Sequence, residues 1–354
     1  MSDKKLIYII GMGRSGTSAL TRVLALCGGT LPERLVPPVD TFNPTGLWES
    51  IDVLTLNENF FERFGSSWSD PSFRLFEETA FKENAKDEFI EKARTFLAGC
   101  PRGPVLVVKE MRISVLASLW FEAAIREGFV VHIVVSVRHP REVAKSWVTA
   151  QLPVPSSDAL WLKYNLLAER YSRCFPRIFV NYSNLLRDWK SQVSRIAKML
   201  SVPLRIDDEI STQVNEFLTE DLYRQRCAEL ASEIFGESCV GRTYAILSSA
   251  ALDQPIDLLQ LDEIYHTYAS GERALRQLVS GDKAVWKYES DVVSQGDTTA
   301  KSSTALESVG PSSATYEGQP ARVRVVDASM GNPKGARGNE AFNATRVAGD
   351  GRTL

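Results

Sequence analysis

The stretch YIIGMGRSGTSALTRVLALCGG, residues 8–29, joins an apolar run to a glycine-rich loop and then to a helix-forming segment. Its pattern predicts a strand over Lys5 to Ile10, a loop from Gly11 and a helix from about Thr17. Apolar residues recur at helical spacing until Gly28, where a left-handed cap is least unfavourable. The stretch therefore predicts a strand, a loop shaped like a phosphate cradle and a helix.

The loop has the spacing of a Walker A phosphate loop but lacks its lysine. Gly11 and Gly16 are separated by four residues, and in such loops backbone N–H groups and a helix N-terminus converge on an anion. Thr17 occupies the lysine position, and the fixed positive charge lies at Arg14. We therefore expect an anion site whose ligand differs from a nucleoside triphosphate.

Composition excludes several broad classes of function. The chain has 354 residues, of which 44% are hydrophobic, and a formal net charge of -3. It is long enough for one large domain with additions, and it has no overall positive field to gather nucleic acid or acidic lipid. We therefore expect binding in a local pocket, and no nucleic-acid partner.

The number of cysteines and the apolar run near the N-terminus indicate in which cellular compartment the protein is expected. The five cysteines are odd in number and form no close pair, which fits neither a disulfide framework nor a zinc site. The apolar run Leu6 to Ile10 is too short for a signal peptide or a membrane span. These observations predict a cytoplasmic protein without a membrane span, and they leave its oligomeric state open.

Apolar runs alternate with helical segments along the first two hundred residues. After the first strand, PVLVV (104–108), FVVHIVVSV (129–137) and RIFVNY (177–182) have little internal alternation, as expected of strands buried on both faces of a parallel sheet. Predicted helices cover about 51–64, 84–97, 113–126, 158–175 and 184–200. The fold class predicted is α/β, a three-layer α/β/α P-loop-type fold with a central parallel sheet.

Three regions are expected along the chain. Residues 1–202 form the P-loop α/β core, and residues 203–293 form a helical extension packed on that core. Residues 294–354 are rich in Gly, Ser, Thr, Ala and Asp, a composition typical of a disordered tail.

A second turn from strand to helix that can bind an anion follows the third predicted strand. We call this turn, from Arg138 to Ser146, the second anion corner, and the stretch from Gly11 to Ser18 the first. In VRHPREVAKSW, Arg138 leaves the strand, Pro140 opens a helix and Ser146 lies on that helix. An arginine and a hydroxyl placed in this way suit a terminal phosphomonoester.

The loop GRSGTS, the pair Arg138 and Ser146, and the strand ending NYSNLL together resemble the PAPS-dependent sulfotransferases. The resemblance is to the bacterial branch that is similar to carbohydrate sulfotransferases, and it covers roughly residues 1–200. It implies the donor PAPS (3'-phosphoadenosine 5'-phosphosulfate), the product PAP and no metal. It also implies sulfuryl transfer to a hydroxyl acceptor, which in this branch is a sugar of a glycan or glycoconjugate.

The resemblance also implies roles for individual residues. The 3'-phosphate would lie at Arg138 and Ser146, and the adenine near Tyr182. The 5'-phosphosulfate would be bound by the first loop, namely Gly13, Arg14, Ser15, Gly16, Thr17 and Ser18.

Catalysis requires a cation at the bridging oxygen and a base for the acceptor. Arg14 supplies the cation where many family members use lysine. Hydroxyl-sulfating relatives carry K-x-H after the second strand, but this chain reads VKEMR, with Met111 in the histidine position. In the carbohydrate branch a glutamate follows the first helix and its connection, and NPTGLWES supplies Glu49 in a similar place. The resemblance therefore makes Glu49 the predicted base, on condition that burial beside Trp48 raises its pKa.

Glu110 is the second candidate base, although a neighbouring Lys109 would lower its basicity. Lys109 is a candidate to orient donor or acceptor, and His139 a turn residue beside the donor. Four tryptophans are candidates for an acceptor cleft or for the core, namely Trp48, Trp68, Trp147 and Trp161.

Two other functions are open at this point. A kinase using ATP and Mg²⁺ should have an aspartate after a central strand, where this chain has Lys109 and Arg138. A nucleotide-binding module without catalysis is compatible with the missing histidine.

Overall fold

A parallel β-sheet lies at the centre of the fold. In the computed structural model, residues 4–38, 44–77, 83–150, 157–219 and 238–295 are described. Within them the sheet has four strands in the order β2-β1-β3-β4, and every pairing is parallel. The strands are β1 (Lys4–Ile10), β2 (Leu106–Lys109), β3 (Phe129–Val137) and β4 (Arg177–Asn181).

Both faces of the sheet are covered because side chains of one strand alternate between two apolar cores. Tyr8 and Ile10 belong to the larger core, whereas Ile7 and Ile9 belong to the other. All four side chains are fully buried. Strands buried on both faces carry uninterrupted apolar runs, which is the pattern that predicted them.

Helices pack on both faces and complete the three layers. Those that share the smaller core with the sheet include α1, α9 and α10, and those of the larger core include α2, α4, α5 and α7. The helices up to β4 are α1 (Thr17–Leu26), α2 (Ile51–Arg63), α3 (Arg74–Glu77), α4 (Glu83–Gly99), α5 (Ala117–Arg126), α6 (Pro140–Thr149) and α7 (Ser157–Ser172). The predicted fold class, three-layer α/β/α with a central parallel sheet, is confirmed.

Two predicted helices differ from the structure. The helix expected from residue 113 begins at Ala117, because a 3₁₀ turn over Met111–Ser114 precedes it. The helix expected from Asn184 to Leu200 is divided into α8 (Tyr182–Arg187) and α9 (Trp189–Met199). Asp188 lies between them, and its side chain accepts a hydrogen bond from Ser191 N at 3.1 Å, so it caps a new helix.

Three helices follow the α/β core, namely α10 (Asp208–Phe217), α11 (Cys239–Ala250) and α12 (Leu258–Gln295). Residues 220–237 of the predicted extension and the predicted tail from residue 296 onward lie outside the described residues. In the ranges that are described, no helix is both long and apolar enough to cross a membrane.

Candidate functional site

The two predicted anion corners lie at the same edge of the sheet. β1 leads into α1 and β3 leads into α6, and these two strands are parallel neighbours with Ile10 opposite Val135. Because β2 pairs with the opposite side of β1, the strand order reverses here. Open α/β sheets bind ligands at such a switch point, beyond the carboxyl ends of the strands.

The first loop is tightly shaped, and Gly16 is required for that shape. Gly16 has φ of 83°, and a Cβ on it would lie 2.0 Å from Cδ2 of Tyr182. Arg14 also has a left-handed backbone, with φ of 68°. The ring of Tyr182 therefore closes directly over the loop, which only glycine permits at position 16.

The first corner offers groups that can bind an anion. α1 begins after Gly16, which has no side chain to cap the helix. The first backbone N–H groups of a helix have no partner within the helix, so they can donate to a ligand. The Oγ of Ser15 is buried and has no hydrogen-bond partner among the described residues. Ser136 Oγ donates to the Ser15 carbonyl at 2.7 Å, which fixes the loop against β3.

Arg138 at the second corner is part of the fold as well as a candidate ligand. Its Nε donates to Glu142 Oε2 at 2.9 Å, and both side chains are buried. Its Nη1 donates to the carbonyl of Arg14 at 3.0 Å, and its guanidinium lies 4.7 Å from the ring centroid of Tyr182. Glu142 was missed in the sequence, although its position four residues after Arg138 on a predicted helix was the available signal.

The two corners make direct contact. Arg14 Nε donates to Ser146 Oγ at 3.0 Å. Trp147, the next residue, lies with its ring centroid 5.9 Å from the Arg14 guanidinium. The structure therefore brings Arg14, Arg138, Ser146 and Tyr182 into one cluster.

Glu49 lies beside the first loop and is held by a lysine. Lys109 Nζ donates to Glu49 Oε1 at 2.5 Å and to Ser18 Oγ at 3.1 Å. Glu49 and Lys109 are both buried. Lys109 was expected to lower the basicity of Glu110, but Lys109 pairs with Glu49, and the cation that lowers the pKa of Glu110 is Arg112.

Glu110 lies beneath the site and not at its surface. Its side chain is fully buried and accepts hydrogen bonds from Asn57 and Arg112. Burial raises the pKa of this carboxyl, although Arg112 opposes that rise. Glu110 also accepts from Arg112 N at 3.1 Å and so caps the 3₁₀ turn, which gives it a structural role.

The candidate tryptophans have different environments. Trp68 stacks on Trp147 with ring centroids 5.3 Å apart. Trp161 is fully buried and donates to the carbonyl of Arg138 at 3.1 Å, so it supports the second corner from the core. Trp48 lies 4.5 Å from the guanidinium of Arg22. His139 caps α6 by accepting from Arg141 N.

Within the described ranges, no group of three or more His, Cys, Asp or Glu side chains is placed to hold a metal ion.

Comparisons with known proteins give similarities in structure only. No family model matches the chain, and no curated protein sequence matches it. The sulfotransferase domain of a Synechococcus olefin synthase is 16% identical, covers 76% of this chain and 96% of its own, and has a TM-score of 0.37. The sulfotransferase domain of the curacin biosynthetic pathway is 16% identical, covers 75% and 97%, and has a TM-score of 0.36.

Mouse sulfotransferase SULT7A1, solved in complex with PAP, is 11% identical, covers 79% of this chain and 90% of its own, and has a TM-score of 0.34. These three solved structures are sulfotransferases or sulfotransferase domains. At such identities and scores, the similarity assigns no activity to this chain.

Proposed function

We propose that this protein is a PAPS-dependent sulfotransferase that moves a sulfuryl group to a hydroxyl acceptor. The observation that carries the proposal is the direct contact between the two anion corners, Arg14 Nε to Ser146 Oγ at 3.0 Å. A donor with phosphate groups at both its 3' and 5' positions requires two anion sites close together. Two corners on adjacent strands meet this requirement.

The residues of the site fit such a donor. The uncapped N-terminus of α1 and the unpartnered Ser15 hydroxyl suit the phosphosulfate end. Arg138 and Ser146 suit the 3'-phosphate, which takes both charged donors and a hydroxyl. Tyr182 contacts both corners through Gly16 and Arg138, so its ring is placed to border the nucleoside.

Arg14 is the proposed catalytic cation. Sulfuryl transfer from PAPS resembles phosphoryl transfer in placing charge on the leaving phosphate. Arg14 remains protonated and offers a planar set of donors. Its hydrogen bond to Ser146 positions the guanidinium between the two corners, where it can stabilise that charge.

Glu49 is the proposed base, and its ion pair limits when it can act. The Lys109 ammonium holds a Glu49 oxygen at 2.5 Å, so Lys109 must turn to another anion before Glu49 accepts the acceptor proton. Ser18, in the first turn of α1 directly after the first loop, is already a second partner of Lys109 at 3.1 Å. Donor binding at that loop and release of Glu49 are therefore coupled in this proposal.

We also propose that the protein is cytoplasmic and requires no metal. The proposed acceptor is a sugar of a glycan or glycoconjugate. The partly exposed Trp68, stacked on Trp147 beside Arg14, supports a sugar because tryptophan faces pack well on the apolar faces of sugar rings.

Calorimetry against PAP and against ATP with Mg²⁺ tests the donor. We expect PAP to bind and ATP to bind far more weakly; preferential binding of ATP with Mg²⁺ would instead indicate a kinase. Transfer of radiolabelled sulfate from PAPS to a panel of glycans then tests catalysis. Binding of PAP without transfer to any acceptor would favour a nucleotide-binding module, in which the Glu49–Lys109 ion pair is purely structural.

A further inference from the structure

The segment from Gly65 to Phe73 carries an aromatic side chain to the edge of the candidate site. Trp68 of this segment stacks on Trp147 with an interplanar angle of 27°. Trp147 in turn lies beside the Arg14 guanidinium, and a Cβ on Gly13 would lie 3.1 Å from its ring. Trp68 is partly exposed whereas Trp147 is buried. We call this stacked pair the Trp68–Trp147 wall.

Three side chains from distant helices hold the segment by its backbone carbonyls. Lys163 Nζ donates to the carbonyl of Asp70 at 2.7 Å. Tyr164 donates to the carbonyl of Trp68 at 2.9 Å, and Tyr268 donates to the carbonyl of Pro71 at 2.9 Å. Side chains of α7 and α12 thus fix the backbone of the segment at three points. Because Trp68 belongs to this segment, the same bonds also fix the position of its ring.

The segment is also ordered by its own polar groups. Asp70 accepts hydrogen bonds from Ser66 Oγ at 2.8 Å and from Ser72 N at 2.9 Å. Glu272 of α12 accepts from Phe73 N at 3.3 Å. These bonds fix the backbone of the segment, so its carbonyls are already oriented to accept hydrogen bonds from Lys163, Tyr164 and Tyr268.

Lys163 is an unusual residue to find in this place. Lys163 is 1% exposed, and its ammonium donates a hydrogen bond to the backbone carbonyl of Asp70. A buried cation is unfavourable for stability, and an apolar residue of similar volume is often as stable or more so. Its position indicates a role in fixing the segment.

We propose that Lys163 is a positioning residue that holds the Trp68–Trp147 wall beside Arg14, and that this wall binds the apolar face of a sugar ring of the acceptor. The proposal rests on the proposed function, because it assigns the acceptor side of the same site. Lys163 acts through Trp68 and does not itself contact the acceptor.

The test compares five proteins: the wild type, Lys163→Met, Tyr164→Phe, Trp68→Ala and the control Lys198→Met. The control is the same substitution at an exposed lysine of α9. Tyr164→Phe removes only the hydroxyl that donates to Trp68, so it tests the positioning even if Lys163→Met fails to fold. Each protein is first titrated with PAP by calorimetry and is then saturated with PAP.

Methyl glucoside, galactoside, mannoside and N-acetylglucosaminide serve as the probes, with binding measured by saturation-transfer NMR. We expect at least one probe to bind the wild type and Lys198→Met equally. Trp68→Ala and Lys163→Met should weaken its binding about tenfold, and Tyr164→Phe several-fold, while PAP affinity is unchanged in all five proteins.

If no probe binds the wild type, or if the variants of Lys163, Tyr164 and Trp68 bind as the wild type does, the acceptor role of the wall is refuted while the PAP titration still supports the donor assignment. A wild type that fails to bind PAP would instead refute the proposed function. Once an acceptor that the enzyme sulfates has been found, steady-state kinetics provide a second measurement. Lys163→Met should then raise the acceptor KM and change kcat little, whereas general damage to the fold would lower kcat and PAP affinity together.

Discussion

Arg138 shows that one side chain can serve both the fold and the ligand. From the sequence it was assigned only to a phosphate, and on that view its removal should leave the fold intact. In the structure it neutralises the buried Glu142 and bonds to the carbonyl of Arg14. Loss of PAP binding in a simple truncation of Arg138 therefore could not be attributed to the lost phosphate contact alone.

A double variant separates the two roles of Arg138. Arg138→Ala should lower the free energy of unfolding by about 3–5 kcal/mol, because it leaves the Glu142 carboxylate buried without its cation. Arg138→Met combined with Glu142→Leu should recover most of that loss and still fail to bind PAP. Urea denaturation and calorimetry measure the two effects, and a double variant that binds PAP normally would contradict the 3'-phosphate assignment.

Gly16 gives a second prediction at the scale of one residue. Gly16→Ala should unfold at a lower temperature and lose PAP binding, because its Cβ would overlap Tyr182 and its φ of 83° is strained for alanine. Gly271→Ala is the control: apart from its own chain neighbours and helix backbone, no atom of the described residues lies within 4 Å of its Cβ position, and alanine is favoured within α12 by up to about 1 kcal/mol. Equal effects of the two substitutions on melting temperature would refute the tight packing of the loop.

The pH dependence of stability provides a test of the burial of Lys163. Burial lowers the pKa of Lys163 from 10.5 to about 8, although Asp70 and Glu272 oppose this and Arg74 adds to it. Between these two values the unfolded chain binds more protons than the folded one, so stability rises with pH. The unfolding free energy of the wild type, relative to Lys163→Met, should therefore rise by up to about 1.4 kcal/mol per pH unit from pH 8 to 10. Denaturant titrations at pH 7.5, 8.5 and 9.5 measure this, and a difference that does not vary with pH would contradict it.

At the scale of elements, the sequence predicts strands better than helix boundaries. β3 is predicted at its observed bounds, Phe129–Val137, because a strand buried on both faces is a continuous apolar run. The division between α8 and α9 was missed because apolar periodicity continues across Asp188. In the structure, the Asp188 side chain accepts a hydrogen bond from Ser191 N and so marks the start of α9. The signal for this break in the sequence was the aspartate itself, because aspartate often precedes the first turn of a helix.

The Asp188 cap can be tested directly. Asp188→Ala should lower the free energy of unfolding by about 1 kcal/mol, because Ser191 N loses its acceptor at the start of α9. Asp87→Ala, at an exposed position within α4, should not lower it. Thermal or urea denaturation of the two variants measures the difference, and equal losses would show that Asp188 is not acting as a cap.

The residues of the two anion corners were predictable from the sequence, whereas the partners of Glu49 and of Lys163 were not. Arg14, Arg138, Ser146 and Tyr182 were named from spacing and resemblance, and the structure brings them together. The pairing of Glu49 with Lys109, and the bond from Lys163 to the Asp70 carbonyl, join residues 60 and 93 positions apart. Such contacts follow from strand order and loop packing, which have no local sequence pattern.

At the scale of the whole molecule, the donor should stabilise the native state. A ligand that binds only the folded chain adds about 2.7 kcal/mol at a concentration one hundred times its Kd, so PAP should raise the melting temperature. Mg²⁺ should add nothing to this effect, and the double variant of Arg138 and Glu142 should show no shift with PAP. A rise in melting temperature that requires ATP and Mg²⁺ would contradict the proposed donor.

The attachment of the Gly65–Phe73 segment to Tyr268 bears on how the chain folds as it leaves the ribosome. Residues of the two anion corners are all synthesised by residue 182, whereas the Tyr268 hydroxyl binds a carbonyl 197 positions earlier. Contacts between such distant positions form late, and N-terminal regions generally fold first during synthesis. A nascent chain stalled before α12 should therefore assemble its two anion corners while Trp68 is still incompletely held, and the Trp68–Trp147 wall should form last.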